Sequence, residues 1–197
     1  MKKKKLSELN LDKCIYMSVG PHAREDSNVN EEFEDIILRK NAELKSGWSL
    51  WADSRPPIIR VGEVFNQEDN VYALMCNNGK PIESKGIEAK YYIDMCNNDD
   101  EIKAIPEGIH AIYAGKGGPS YALLVEDYYE IDEQDNVFNK GAYNRIVKDG
   151  KNCYFNGFEL LEKKSVNIKN TDKIICYVAK LRYPYCVKIA KDKDCLK

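Results

Sequence analysis

The sequence predicts an α+β domain with a mostly antiparallel sheet and two main helices on one of its faces. Short apolar segments of strand length recur along the 197 residues. Two longer segments repeat apolar residues at helical spacing, and Gly, Pro and Asn separate the segments. An excess of strands over helices favours helices gathered on one face of an antiparallel sheet. A ligand groove would explain why the other face is also apolar.

The first half begins with a charged lead-in and ends with two strands. Its predicted elements are the lead-in over residues 1–13, a strand over 14–19, a helix capped by Asn28 or Asn30, and strands over 48–52 and 71–76. The buried face of the helix is formed by Val29, Phe33, Ile36, Ile37 and Leu44. Gly20-Pro21 ends the first strand because proline cannot donate to a ladder.

The second half carries the second predicted helix, which begins at Ser120. Its apolar face recurs at i, i+3, i+4, i+7 and i+10, on Tyr121, Leu124, Val125, Tyr128 and Ile131. The other predicted elements are strands over 87–95, 102–105, 109–114, 158–161 and 174–181, a weakly ordered polar stretch over 132–148, and a tail over 182–197.

The two halves, about 14–97 and 102–181, resemble each other. Ile15-Tyr16 leads to Gly20-Pro21 as Ile112-Tyr113 leads to Gly118-Pro119, and a helical segment follows each Gly-Pro. A strand opened by glycine and an aromatic residue comes next, at Gly47-Trp48 and at Gly157-Phe158. Two β-α-β-β units predict a single domain over 14–181 with pseudo-twofold symmetry and a central ligand groove, because grooves between packed elements bind small molecules.

Composition and charge exclude several classes of protein. The net charge of −2 gives no electrostatic footprint for nucleic acid, so we expect no direct nucleic-acid binding. No apolar segment reaches membrane-spanning length, and none follows Lys2–Lys5 as a signal peptide would require, so we expect a cytoplasmic protein. The seven cysteines form no Cys-x-x-Cys pair. We therefore expect neither a metal site nor a cofactor.

Strand alternation selects candidate ligand-binding residues. Glu159 and Leu161 share one face of their strand, and the repeat places Ser49 and Trp51 on the matching face. Alternation does not tell which face packs under the helices. If this set lines the groove, a carboxylate lies among apolar and aromatic walls, which suits an organic cation. The alternative is an ordinary solvated carboxylate on a strand.

Tyrosines supply further candidates for the groove. The chain has 13 Tyr against 5 Phe and 2 Trp, and tyrosine suits pockets that are partly wet. Tyr72, Tyr91 and Tyr113 lie in or beside predicted strands and are the proposed lining residues, although core or edge-strand packing is the more common role for any single one of them. His22 and His110 form no triad or metal motif, and we assign no catalytic residue.

A family resemblance adds to these expectations. The segment from Ile105 to Ala111 reads I-P-E-G-I-H-A and resembles the "I-P-x-G-x-Y-A" strand of gyrase-inhibitor-like (GyrI-like) domains, with His110 in place of the usual tyrosine. These are the effector-binding domains of bacterial MerR- and AraC-type multidrug-sensing regulators. The resemblance implies a duplicated β-α-β-β fold, a groove for hydrophobic, often cationic, small molecules, and Glu159 as the buried glutamate.

Three functions follow from the sequence and the resemblance. The first is a stand-alone effector-binding domain that captures a hydrophobic or cationic small molecule, as a transcription-regulator-type sensor or as a sequestering protein. The lead-in is too short for two DNA-reading helices. The second is a small hydrolase of reactive xenobiotics, in which Glu159 acts as general acid or base; no second catalytic group is evident, so binding is favoured over catalysis. The third is a module that binds a protein partner.

Overall fold

A computed structural model describes residues 1–24, 30–53, 60–77, 82–84, 91–95, 102–106, 109, 120–132, 137–152, 154–155, 158–165 and 172–196. The helices are α1 (Phe33–Glu43) and the short α2 (Arg60–Val64). Turns of 3-10 helix cover Leu6–Glu8, Leu44–Ser46, Lys140–Ala142 and Lys193–Leu196. The strands are β1 (Lys2–Lys4), β2 (Lys13–Val19), β3 (His22–Arg24), β4 (Asn30–Glu31), β5 (Ser49–Asp53), β6 (Tyr72–Asn77), β7 (Ile82–Ser84), β8 (Tyr92–Asp94), β9 (Ile102–Ala104), β10 (Ser120–Ile131), β11 (Val137–Asn139), β12 (Tyr143–Arg145), β13 (Val147–Lys148), β14 (Lys151–Asn152), β15 (Tyr154–Phe155), β16 (Phe158–Lys163), β17 (Asp172–Ile174) and β18 (Tyr177–Ala190).

One large mixed sheet organises the fold, in the order β1-β10-β18-β6-β2-β16-β12. The pairs β1–β10 and β2–β6 are parallel, and the other pairs along this order are antiparallel. Strand β5 pairs with β10, β15 with β16, and β8 joins β18 to β9. The protein is therefore an α+β protein dominated by its sheet, with one main helix.

Helix α1 confirms the first predicted helix. Phe33, Ile36 and Ile37 are buried at helical spacing and pack on the sheet. The helix begins after Glu32, which makes no side-chain cap, so the predicted asparagine cap was wrong: Asn30 lies in β4 and Asn28 lies outside the described residues. Gly47, at φ 96°, ends the 3-10 turn that follows α1 in a left-handed conformation that glycine adopts readily.

The predicted second helix was wrong, because Ser120–Ile131 form strand β10. This strand is buried on both faces, so apolar residues need not alternate along it. Register shifts between Leu123 and Val125, and between Val125 and Asp127, move the side chains from one face to the other. Together these two features produce an i, i+3, i+4 pattern in an extended chain.

The ends of the chain are also part of the fold. The predicted tail continues strand β18 as far as Ala190, and Tyr185, Val187 and Ile189 within it are buried. In the lead-in, Leu6 and Leu9 are buried against the sheet. The predicted duplication is not confirmed, since the segment matched with α1 is strand β10 and the start of the second repeat lies outside the described residues.

The sheet has two faces with different covers. The helix-side face carries Ile15, Phe158 and Leu160, which pack with the residues of α1. The far face carries Cys14, Tyr16, Tyr72, Leu74 and Leu161, which pack with Leu6, Leu9 and Phe138. The far face is thus covered by the N-terminal segment and by the chain around β11. Among the residues that the structure describes, no helix is both long and apolar enough to cross a membrane.

Candidate functional site

Glu159 lies on the far face of β16, beside Tyr16 of β2, and its side chain is only 7% exposed. Its Oε1 accepts a hydrogen bond from Lys140 Nζ at 2.5 Å, and its Oε2 accepts one from Arg145 Nε at 3.0 Å. Each carboxylate oxygen therefore already has a cationic donor from this chain. The proposed role of Glu159 in holding a ligand cation therefore stays a prediction, and any ligand cation would share the carboxylate with Lys140 and Arg145.

An aromatic row extends from this ion-pair cluster. Lys140 Nζ lies 4.6 Å from the centre of the Tyr16 ring, a cation–π distance. Tyr16 stacks on Phe138 with ring centres 6.3 Å apart, and Phe138 lies 4.7 Å from Tyr143. Offset and tilted ring pairs at such distances stabilise the contacts between segments. The row thereby joins Glu159 to the chain that covers the far face.

A pocket of about 410 Å³ opens in this cover. One wall is the N-terminal segment 6–12 and the other is segment 137–143. Its lining residues are Leu6, Ser7, Leu9, Asn10, Leu11, Asp12, Val137, Phe138, Asn139, Ala142, Tyr143 and Lys163. Seven of the twelve lining residues are apolar or aromatic, and a serine, two asparagines and two charged residues complete the lining. Pockets for small molecules have this kind of composition.

The wall at 137–143 is held by local and tertiary contacts. Asn139 accepts a hydrogen bond from the backbone of Ala142 and so caps the 3-10 turn, as asparagine does at helix starts. Strand β11 pairs with β17, and the backbone of Lys164 donates to the carbonyl of Ala142. The ammonium of Lys164 also reaches the carbonyl of Gly141. These contacts fix the wall to the edge of the large sheet.

The N-terminal wall is anchored at both of its ends. Strand β1 pairs with β10, where Lys3 forms an ion pair with Glu130 and Lys4 lies over the ring of Tyr129. At the other end the backbone of Lys163 donates to the carbonyl of Asp12. The side chains of Asp12 and Lys163 lie 3.9 Å apart and are 74% and 59% exposed. The charged groups of the pocket lining are thus one carboxylate and one ammonium, which balance.

Ser49 and Trp51 lie on the helix-side face, so they do not share a groove with Glu159. Ser49 Oγ donates to Glu43 at 2.8 Å and lies 3.0 Å from Tyr128 Oη, while Trp51 Nε1 donates to Tyr128 Oη at 2.7 Å. Lys40 Nζ completes this buried network through bonds to Glu43 and to the carbonyl of Leu50. Every polar group named here has a partner, which is how polar groups are tolerated in a core.

The electrostatics of this network follow from its burial. Burial lowers the pKa of Lys40 to about 8, because the attraction of the Glu43 carboxylate offsets only part of the loss of water. Burial likewise raises the pKa of Tyr128 above its ordinary value. Strongly shifted groups mark functional sites when they line a cleft. Lys40 is 2% exposed and Tyr128 is fully buried, so the network is part of the core.

The remaining predicted residues lie apart from Ser49 and Trp51. Leu161 and Tyr72 are buried in the far-face cluster, as is Tyr16 beside Glu159. Tyr91 is buried next to β8, which pairs with the C-terminal half of β18. Tyr72 lies in β6, which pairs with the N-terminal half of β18, so the two tyrosines lie near opposite ends of that strand. Tyr113 lies outside the described residues.

Sequence reasoning missed the two cations that pair with Glu159 and the rings of Phe138 and Tyr143. All of them lie in the stretch that was expected to be polar and weakly ordered. One signal was available, since the two aromatic residues flank an Asn-Lys-Gly turn at Asn139, and asparagine followed by a short turn predicts a capped structure. The part of the chain that the structure describes contains no group of three His, Cys, Asp or Glu residues that could hold a metal ion.

Comparisons with known proteins add no family to this description. No protein-family model matches the sequence, no curated protein is significantly similar to it, and no solved structure matches its fold. The resemblance to gyrase-inhibitor-like domains therefore stays a prediction from short motifs.

Proposed function

We propose that the protein binds a small hydrophobic molecule in the far-face pocket, as a sensor or sequestering module. The observation that carries the proposal is a pocket of about 410 Å³ whose lining combines three leucines, a valine, an alanine and two aromatic residues with five polar or charged residues. This volume lies within the range of small-molecule sites, which combine apolar walls with a few polar groups. Asn10, Asn139, Asp12 and Lys163 supply such groups.

The charge of the ligand is a separate part of the proposal. The resemblance to gyrase-inhibitor-like domains implied an organic cation at Glu159, whose oxygens are bound by Lys140 and Arg145. In the pocket lining, Asp12 can attract a cation and Lys163 an anion, and both side chains are exposed enough to exchange partners. We therefore propose a hydrophobic body with one polar or charged end, and leave the cationic head as a hypothesis to test.

A fluorescence titration with N-phenyl-1-naphthylamine, a neutral apolar dye, tests the proposal. We expect saturable binding that Ala142→Leu weakens by about tenfold, because a larger side chain in the lining occupies ligand space at a cost of roughly 1.4 kcal/mol. The matched control is Ala42→Leu, the same substitution at an exposed position of α1 outside the lining. Equal affinity in wild type and Ala142→Leu would place the dye elsewhere and refute the site.

A further inference from the structure

We infer that Glu159 is a positioning residue that holds the pocket wall in shape from behind, without touching the ligand. This inference rests on the function proposed above. Glu159 is buried and is not among the residues that line the pocket. Its two partners, however, are Lys140, inside the wall segment 137–143, and Arg145, two residues beyond its end. Ala142 and Tyr143, which do line the pocket, lie between these two partners in sequence.

The geometry of the ion pairs makes one carboxylate a double tether. Glu159 belongs to a strand inside the large sheet, paired with Tyr16 on one side and Tyr154 on the other, so its backbone is held by its neighbours. Oε1 holds the ammonium of Lys140 and Oε2 holds the guanidinium of Arg145. Charge-assisted hydrogen bonds of this kind are stronger and more directional than neutral ones. Besides the backbone pairing of β12 with β16, segment 140–145 thus has one side chain, Glu159, that binds Lys140 at its start and Arg145 at its end.

A chain of contacts connects Lys140 to the aromatic residues that line the pocket. Its ammonium lies over Tyr16, whose ring stacks on Phe138, and Phe138 packs on Tyr143. Phe138 and Tyr143 are apolar wall residues of the pocket. If Glu159 loses its charge, Lys140 loses its ionic partner and the aromatic row loses the cation that Glu159 holds above it. The backbone bonds of Lys164 still attach the segment, so the wall shifts while the fold persists.

Three probes that share a ring system but differ in charge distinguish a positioning role of Glu159 from direct contact between Glu159 and the ligand. The probes are N-phenyl-1-naphthylamine, its anionic 8-sulfonate, and the same ring system carrying a trimethylammonium group. A direct ion pair between Glu159 and a ligand cation predicts that Glu159→Gln weakens the cationic probe alone. A positioning role predicts that Glu159→Gln weakens all three probes by a similar factor of about five- to tenfold, which corresponds to 1.0–1.4 kcal/mol.

Variants at the partner cation supply the rescue control. We expect Lys140→Gln to weaken the three probes as Glu159→Gln does, and Lys140→Arg, which keeps a cation near Glu159, to bind them within about twofold of wild type. Arg145→Gln removes the half-exposed partner and supplies the same test if Glu159→Gln fails to fold. All titrations are made at a temperature where circular dichroism shows each variant folded, so a loss of affinity is not a loss of native protein.

The outcomes distinguish the two proposals. If wild type binds the neutral dye and Ala142→Leu blocks it, but Glu159→Gln and Lys140→Gln leave all three affinities unchanged, the positioning role is refuted and the pocket stands. If Glu159→Gln lowers the affinity for the cationic probe alone, the positioning role is also refuted and direct contact between Glu159 and the ligand is supported. If Ala142→Leu has no effect in wild type, the proposed function itself fails. Parallel weakening of the three probes, rescued by Lys140→Arg, supports the inference.

Discussion

Replacement of Lys40 by methionine is expected to remove a pH dependence from the stability of the protein. Lys40 lies on the buried face of α1, and its ammonium contacts Glu43 and the carbonyl of Leu50. Its pKa falls from 10.5 to about 8 in the folded protein because burial disfavours the charged form. Methionine keeps the length of the side chain and has no proton to lose. The difference between the two proteins therefore reports on the Lys40 ammonium.

The sign and the size of the effect follow from proton linkage. Between pH 8 and 10.5 the unfolded chain keeps the Lys40 proton while the folded chain releases it, so the free energy of unfolding rises with pH. Below pH 8 both states are protonated and the contribution is constant. The full shift corresponds to about 3 kcal/mol, and about 2 kcal/mol of it develops between pH 7.5 and 9.5.

Urea unfolding at pH 7.5 and 9.5, followed by circular dichroism, measures this contribution. The pKa of the Cys14 thiol is raised by burial, which lowers stability above pH 9.0, but this acts equally on both proteins and cancels in their difference. Lys45→Met, the same change at an exposed position, is the control. We expect wild type to gain about 2 kcal/mol over Lys40→Met between the two pH values. Parallel pH profiles for wild type and Lys40→Met would refute the lowered pKa of Lys40 in the folded protein.

Two further predictions concern buried tyrosine hydroxyls. Tyr185 Oη donates to the carbonyl of Asn66 at 2.7 Å and to that of Asp69 at 2.6 Å. Tyr185→Phe should therefore lower the free energy of unfolding by about 1–2 kcal/mol. The free energy is measured by urea titration, with Tyr121→Phe as the control. Tyr128→Phe should cost about 2 kcal/mol and alter the fluorescence of Trp51, because the indole N–H loses its acceptor; an unchanged emission spectrum would contradict this hydrogen bond.

Local patterns predicted the elements whose environment is simple. Helix α1 has one buried face, so Phe33, Ile36 and Ile37 recur at helical spacing and identify it. The same periodicity argument gives the wrong result for strand β10, because its residues are buried on both faces and its register shifts twice. Tyr128, which completed the apparent helical face, is instead the centre of a buried hydrogen-bonded network in a strand.

Alternation along one strand was informative, but its extension by the repeat was not. Glu159 and Leu161 do share the far face. Ser49 was placed with them only because Gly47-Trp48 resembles Gly157-Phe158. Strand β5 pairs with β10, whereas β16 pairs with β2, so the two segments occupy different positions in the sheet. No sequence repeat can settle which face a strand buries when its neighbours differ.

The pocket could not be predicted because its walls are distant in sequence. Residues 6–12 read as a charged lead-in and residues 137–143 as a polar stretch, and neither has apolar periodicity. Their leucines and aromatic rings become one lining only when both segments pack on the far face. The partners of Glu159 were missed for the same reason, since Lys140 precedes it by 19 residues and lies in another element.

The difference between the two covers explains why a ligand would enter from the far face. The helix-side face is closed by α1 and by a hydrogen-bonded network whose members, such as Ser49 and Tyr128, are buried. Opening it would leave Lys40 and Glu43 without their partners in an apolar core, at a cost of several kcal/mol. The far-face pocket is bounded by short segments held through a few backbone bonds and two exposed charges. Such segments open at lower free energy than a core element does, so a bound molecule would enter between them at a lower cost than through the helix-side core.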